Sequence, residues 1–138
     1  MPIQKSIKKI GTPIATRTLE IPGKRKQTVV VKIGLPRKTR LNWECQFQIT
    51  GLKGHDEIHS SFGVDAIQAI AVAFEGIRYF LNKSKKKFRW MGGEPGDIGF
   101  PKSINTGLGL GFTKRIERLM EIETVNFVRK VTPKSSTK

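Results

Sequence analysis

The sequence predicts an α+β domain, an antiparallel sheet of four to five strands packed on one principal amphipathic helix, with a second helix toward the C-terminus. Three segments carry that prediction. WECQFQI at 43–49 alternates polar and apolar residues as a half-buried strand does. GVDAIQAIAVAFEGIRYFL at 63–81 opens with helix-start residues and continues with apolar residues at helical spacing. RWMGGEPGDIGFP at 89–101 is built from turn formers. A chain of 138 residues with 37% hydrophobic content suffices for one compact domain. We place that domain at 14–131, between a basic N-terminal arm at 1–13 and a flexible basic tail at 132–138.

The first strand, near residues 14–21, sets Arg17, Leu19 and Ile21 on one face against Thr16, Thr18 and Glu20 on the other. Its apolar pattern is weak, which suits a sheet edge. Pro22 and Gly23 make a turn, and the β-branched run 28–33 reads as a better-buried partner strand. The two form a hairpin with Lys24, Arg25 and Lys26 at its tip. Trp43, Cys45, Phe47 and Ile49 define the inward face of the next strand. After a turn at 51–54, Ile58, Ser60 and Phe62 share a face of a fourth strand, completing an antiparallel meander.

Helix start signals follow at once. Gly63 breaks the strand, Asp65 caps, and Gln68 completes a capping box. Ile67, Ile70, Ala71, Phe74, Ile77 and Leu81 form the expected buried stripe. Ala66, Ala69, Ala73 and Gly76 flank it and allow close approach. Asn82 and the lysines after it suit the C-terminal end of the helix dipole. A short strand at 88–90 is expected to return to the sheet edge. A Gly-rich link carrying Gly107, Gly109 and Gly111 leads to the second helix near 113–123.

The net charge is +15, and it is clustered. Basic residues fill 1–40 and return at 83–89, whereas 41–82 is mildly acidic. Such clustering draws anionic partners: nucleic acid, an acidic protein surface or an anionic membrane face. No apolar run approaches the roughly 20 residues of a membrane span, and no secretory signal is visible, so a soluble cytoplasmic protein is expected. The one cysteine, Cys45, excludes an intrachain disulfide and a cysteine-rich zinc module.

The WECQFQI, GVDAIQAI and GGEPGDIGFP segments resemble a small bacterial family known as an uncharacterised domain. The resemblance covers about half of the chain. It implies a compact α+β domain with one principal helix and supplies no activity, cofactor or catalytic residue. Proteins of this size and style occur among immunity proteins of bacterial toxin systems, an analogy at the level of style alone.

Four constellations bear on chemistry. His55, Glu57 and His59 would share a strand face as two imidazoles and a carboxylate, a set zinc accepts. HDEIH also imitates HExxH, but that motif works on a helix and this segment is strand-like, so the preferred reading is a solvent-facing strand without metal. Cys45 alternates with Trp43 and Phe47, which places it in the core. Glu94 and Asp97 sit among turn formers and serve turns, local amide bonds or pairing with Arg89, with partner contact as the functional alternative. The glycines at 107–111 lack a phosphate-loop context.

KSKKKFRW interleaves lysines with Phe88 and Trp90 as a stacking platform would, unless both aromatics point into the core. The expected function is therefore a non-catalytic protein-binding module that complexes an acidic partner, an immunity-type protein bound to a toxin being its most concrete form. The alternative is a nucleic-acid-binding accessory protein that contacts backbone phosphates without sequence readout. The expected partner-binding residues are Lys24, Arg25, Lys26, Arg37, Lys38, Arg40, Lys85, Lys86, Lys87, Arg89, Glu94 and Asp97. No catalytic residue, metal or cofactor is expected.

Overall fold

The computed structural model describes residues 10–23 and 25–133; Lys24 and the two ends of the chain lie outside the described residues. The chain divides into two compact units, 1–102 and 103–138.

In the first unit, β1 (Pro13–Ile21), β2 (Gln27–Gly34), β3 (Arg37–Lys38), β4 (Trp43–Thr50) and β5 (Ile58–Gly63) form one five-stranded antiparallel sheet. β2 and β3 lie in succession along one edge of β4, interrupted at Leu35 and Pro36, and β5 lies on the other. The path is thus the expected meander. Ile21 pairs with Gln27 to close the first hairpin. Glu20 and Arg89 exchange two backbone hydrogen bonds of 2.9 Å, so the segment after the helix does return to the outer edge of β1.

One face of the sheet is apolar because the period of two puts Leu19, Val29, Val31, Ile33, Cys45, Phe47 and Ile49 on the same side. Helix α1 (Ala66–Lys83) covers that face. The Asp65 cap is as expected, its carboxylate accepting from the Gln68 backbone amide at 2.8 Å, but the Gln68 side chain reaches one residue past the N-cap and accepts from the Val64 amide at 2.6 Å instead of closing a capping box. The phase of α1 differs from expectation. The fully buried positions are Ala69, Ala73, Ile77 and Leu81, with Ile70 and Phe74 at the margin, whereas Ile67 is 79% exposed. The small residues are the centre of the contact and not its flanks. A methyl on Gly76 would lie 2.8 Å from the Phe47 ring, and one on Gly63 would meet the Ala69 amide nitrogen at 2.5 Å. At its far end the left-handed residue is Lys85, whose amide donates to the Asn82 carbonyl; Asn82 itself stays helical.

β5 also presents the face opposite to the expected one. Cys45 pairs with Ser61 and Phe47 with His59, so His59, Ser61 and Gly63 lie on the helix side, and Ile58, Ser60 and Phe62 look outward. Where α1 starts, close against the strand, the inward position must be small, and the sequence supplies Gly63.

α1 is about 10–12 Å across, while strands spaced about 4.8 Å apart make this sheet wider than one helix can cover. α1 lies over β4 and β5. The remaining face, over β1 and β2, is closed by residues 88–101. Phe88, Ile98 and Phe100 are buried there, Phe100 packs against Phe74 at 6.0 Å, and Arg78 of α1 donates to the Phe100 carbonyl at 3.0 Å. The Gly/Pro loop is therefore the second half of the lid on the core.

The second unit holds a 3-10 turn (Thr106–Leu108) and helix α2 (Leu110–Val131), which is longer than the expected 113–123 and stops before Pro133. No residue of α2 is buried. No helix among the described residues is long and apolar enough to cross a membrane.

Candidate functional site: the basic end of the sheet

Register fixes where the charges go. β1 turns into β2 at one end of the sheet, here termed the hairpin end. Thr50 pairs with Val30 and Gln48 with Ile58, so the β4–β5 turn is at that end too. α1 starts beside Gly63 at the opposite end and runs back until Phe80 stacks on His59 at 4.1 Å. It thus delivers Lys83, Lys85, Lys86 and Lys87 to the hairpin end, just before Arg89 pairs with Glu20 of β1. Arg25, Lys26, Lys83, Lys85, Lys86 and Lys87 are all exposed. Two basic runs some sixty residues apart in sequence are gathered at one end of the fold. Asp56 and Glu57 are the acids of the adjoining turn.

The remaining expected residues divide differently. Arg37, Lys38 and Arg40 stand at the opposite end, because Arg37 and Lys38 pair with Glu44 and Trp43 at the start of β4. Arg37 is already neutralised, its guanidinium donating to the Glu44 carboxylate at 2.7 Å. Arg89 is likewise engaged, with Glu20 at 3.0 Å, and not with Glu94 or Asp97. Asp97 accepts from the Gly99 amide at 3.1 Å, and its own amide donates to the Glu94 carbonyl at 3.0 Å. Both acids remain exposed on the loop. Lys24 lies outside the described residues.

Phe88 is 1% exposed, and Trp90 packs against the core, where Gly99 at a φ of +69° lets the backbone lie flat on the indole. Neither ring is available to stack on a base. Instead Trp90 and Phe100 flank the Arg17 guanidinium, 4.3 and 4.6 Å from its central carbon, while Arg17 donates to the Gly99 carbonyl at 2.6 Å. The sequence places Arg17 on the face of Leu19 and Ile21 but assigns it no role. An arginine alternating inward with Leu19 and Ile21 was its one signal, and it fastens the loop over the open side of the sheet.

His55 and Glu57 both lie before β5, so neither shares a strand with His59. The His59 ring packs against both Phe47, at 5.2 Å, and Phe80, which also touch each other at 6.1 Å, so the three rings form one cluster. It is not solvent-facing as expected: burial lowers its pKa below the ordinary histidine value, with Glu57 opposing and His55 adding to the shift. Among the described residues no three His, Cys, Asp or Glu side chains are grouped to hold a metal ion. Cys45 is fully buried, and burial pushes its thiol pKa up, away from the reactive thiolate.

The α+β unit with its wrapped loop corresponds to a known family. Residues 15–102 match a domain of unknown function, DUF6968, and the chain belongs to that family. Neither a curated protein nor a solved structure matches it.

Proposed function

We propose that this protein is a non-catalytic binding module whose basic hairpin end, formed by Arg25, Lys26, Lys83, Lys85, Lys86 and Lys87, holds an acidic protein surface. The observation that carries the reading is the convergence of two separate lysine and arginine runs on one end of the sheet, with Phe88 and Trp90 turned into the core. A cluster of exposed ammonium and guanidinium groups steers and captures acidic surfaces and needs no pocket. An immunity-type inhibitor of a toxin is one form such a module takes. The same lysines could grip a phosphate backbone, but the inward rings remove the stacking groups that single strands use.

The test is capture from a native lysate split into nuclease-treated and untreated halves and eluted by a salt gradient. One stoichiometric acidic protein, retained after nuclease and lost on K85E/K86E/K87E with an unchanged circular dichroism spectrum, is the expected result. Nucleic acid alone, lost on treatment, would move the function to the backbone-phosphate reading. Undiminished capture by both that variant and K24E/R25E/K26E would remove electrostatics from the mechanism.

A further inference from the structure

The two edges of the sheet are treated differently. The outer edge of β1 is bridged by Arg89 at Glu20, and the rest of it carries Pro13 and the inward-facing Arg17, two of the devices that blunt an edge. β5 pairs with β4 alone, and among the described residues no backbone hydrogen bond is made on its other side. Exposed edges invite pairing with another chain, and proteins ordinarily blunt them with lysine, proline or inward charge. This chain has 26 lysines and arginines, yet Ile58–Gly63 contains no charged residue and no proline, and none of the cations falls anywhere from Gly54 to Ile77. The edge that most needs protection is the stretch from which positive charge is withheld.

We propose that β5 is a pairing edge and that its occupant is a second copy of this chain, joined through an antiparallel β5–β5 ladder about a twofold axis at Ser60. Antiparallel partners place residues of the same face opposite one another, and centring on Ser60 sets Ile58 against Phe62 of the other copy twice over. Phe62 is 48% exposed, and a β-branched residue facing an aromatic is a favourable cross-strand pair. On the helix side, α1 lies over β4 and β5. Adding a strand at about 4.8 Å brings the two copies of α1 side by side, roughly 10 Å apart, the distance at which helices pack. The flank of α1 that then meets its counterpart is the one turned away from Phe74 and Arg78. It carries Val72 and Tyr79, both exposed in the single chain. Antiparallel pairing also sends the two basic hairpin ends to opposite extremes of the assembly. Two chains of charge +15 meet along a strand that carries no cation, with Lys83, whose ammonium lies 5.7 Å from the Tyr79 ring, at the hairpin end of the helix flank.

Sedimentation equilibrium of the full chain tests this. The wild type is expected to be a dimer, and Ser60→Lys, which sets two ammonium groups across the axis on an exposed position, to weaken association at least about tenfold with an unchanged circular dichroism spectrum. Ile58→Lys and Phe62→Glu are each expected to weaken it as well, and the double variant to restore it, because the register brings each new lysine opposite a new glutamate. That rescue separates a register-specific interface from a mere loss of fold. A wild type that is monomeric at every accessible concentration overturns the proposal. So does a dimer that Ser60→Lys leaves intact, or a double variant no better than either single one.

Discussion

Gly63 and His59 show how single residues on β5 set the seat of α1. A β-carbon on Gly63 would stand 2.8 Å from the Gln68 carbonyl carbon, in the first turn of the helix, and backbone atoms cannot rotate away as a side chain can. Gly63→Ala restricts the unfolded chain, which alone stabilises by about 0.4–1 kcal/mol. Overpacking costs about 1–3 kcal/mol and opposes it. We expect a net loss in urea denaturation, and a stabilised variant would mean that the helix sits farther from the strand than described. His59 acts through its charge state. Because its folded pKa is held below the unfolded value of about 6.5, mainly by burial against Phe47 and Phe80, the stability it contributes is complete above that pH. It is lost as pH falls through the lowered folded value. Thermal midpoints measured from neutral to mildly acidic pH should decline, and His59→Phe, which keeps the stack, should flatten that decline.

At the scale of elements, local chemistry and packing divide the control of α1. Its N-terminus is fixed locally by the Asp65 and Gln68 hydrogen bonds, so Asp65→Ala should cost about 1 kcal/mol without moving the helix. Denaturant midpoints would check this, and an unchanged stability would show that the cap is idle. That cap was legible in the sequence, as were the four main strands, the return of residues 88–90 to the edge and the core position of Cys45. Each rests on signals contained within a few residues. The rotation of α1 was not legible. Hydrophobicity picks out Ile67 and Ile70, but the Phe47 ring leaves no room for a β-carbon at Gly76, and the buried face is Ala69, Ala73, Ile77 and Leu81. The facing of β5 was missed for the same reason, since Ile58 and Phe62 outrank Ser61 and Gly63 on any scale that ignores the space available. Of the candidate site, the residue types could be read along the chain. Their division between two ends of the sheet could not, because it depends on the register of β4 and on the return path of α1.

Across the whole molecule, charge separates two kinds of surface with opposite responses to salt. At the hairpin end, exposed lysines and arginines are expected to attract an anionic surface, an interaction that fades as the screening length shrinks from about 10 Å at 0.1 M to about 3 Å at 1 M salt. Along the β5 flank, contact between two copies would be apolar and backbone-mediated, and the long-range term that opposes it is the mutual repulsion of two chains of charge +15. Screening removes that repulsion and leaves the contact itself nearly untouched. Raising salt from low to moderate levels should therefore increase the dimer fraction in sedimentation while lowering the retention of an acidic partner in the same buffers. Self-association that weakens with salt in step with partner capture would place both on the basic end and leave β5 without a role in either.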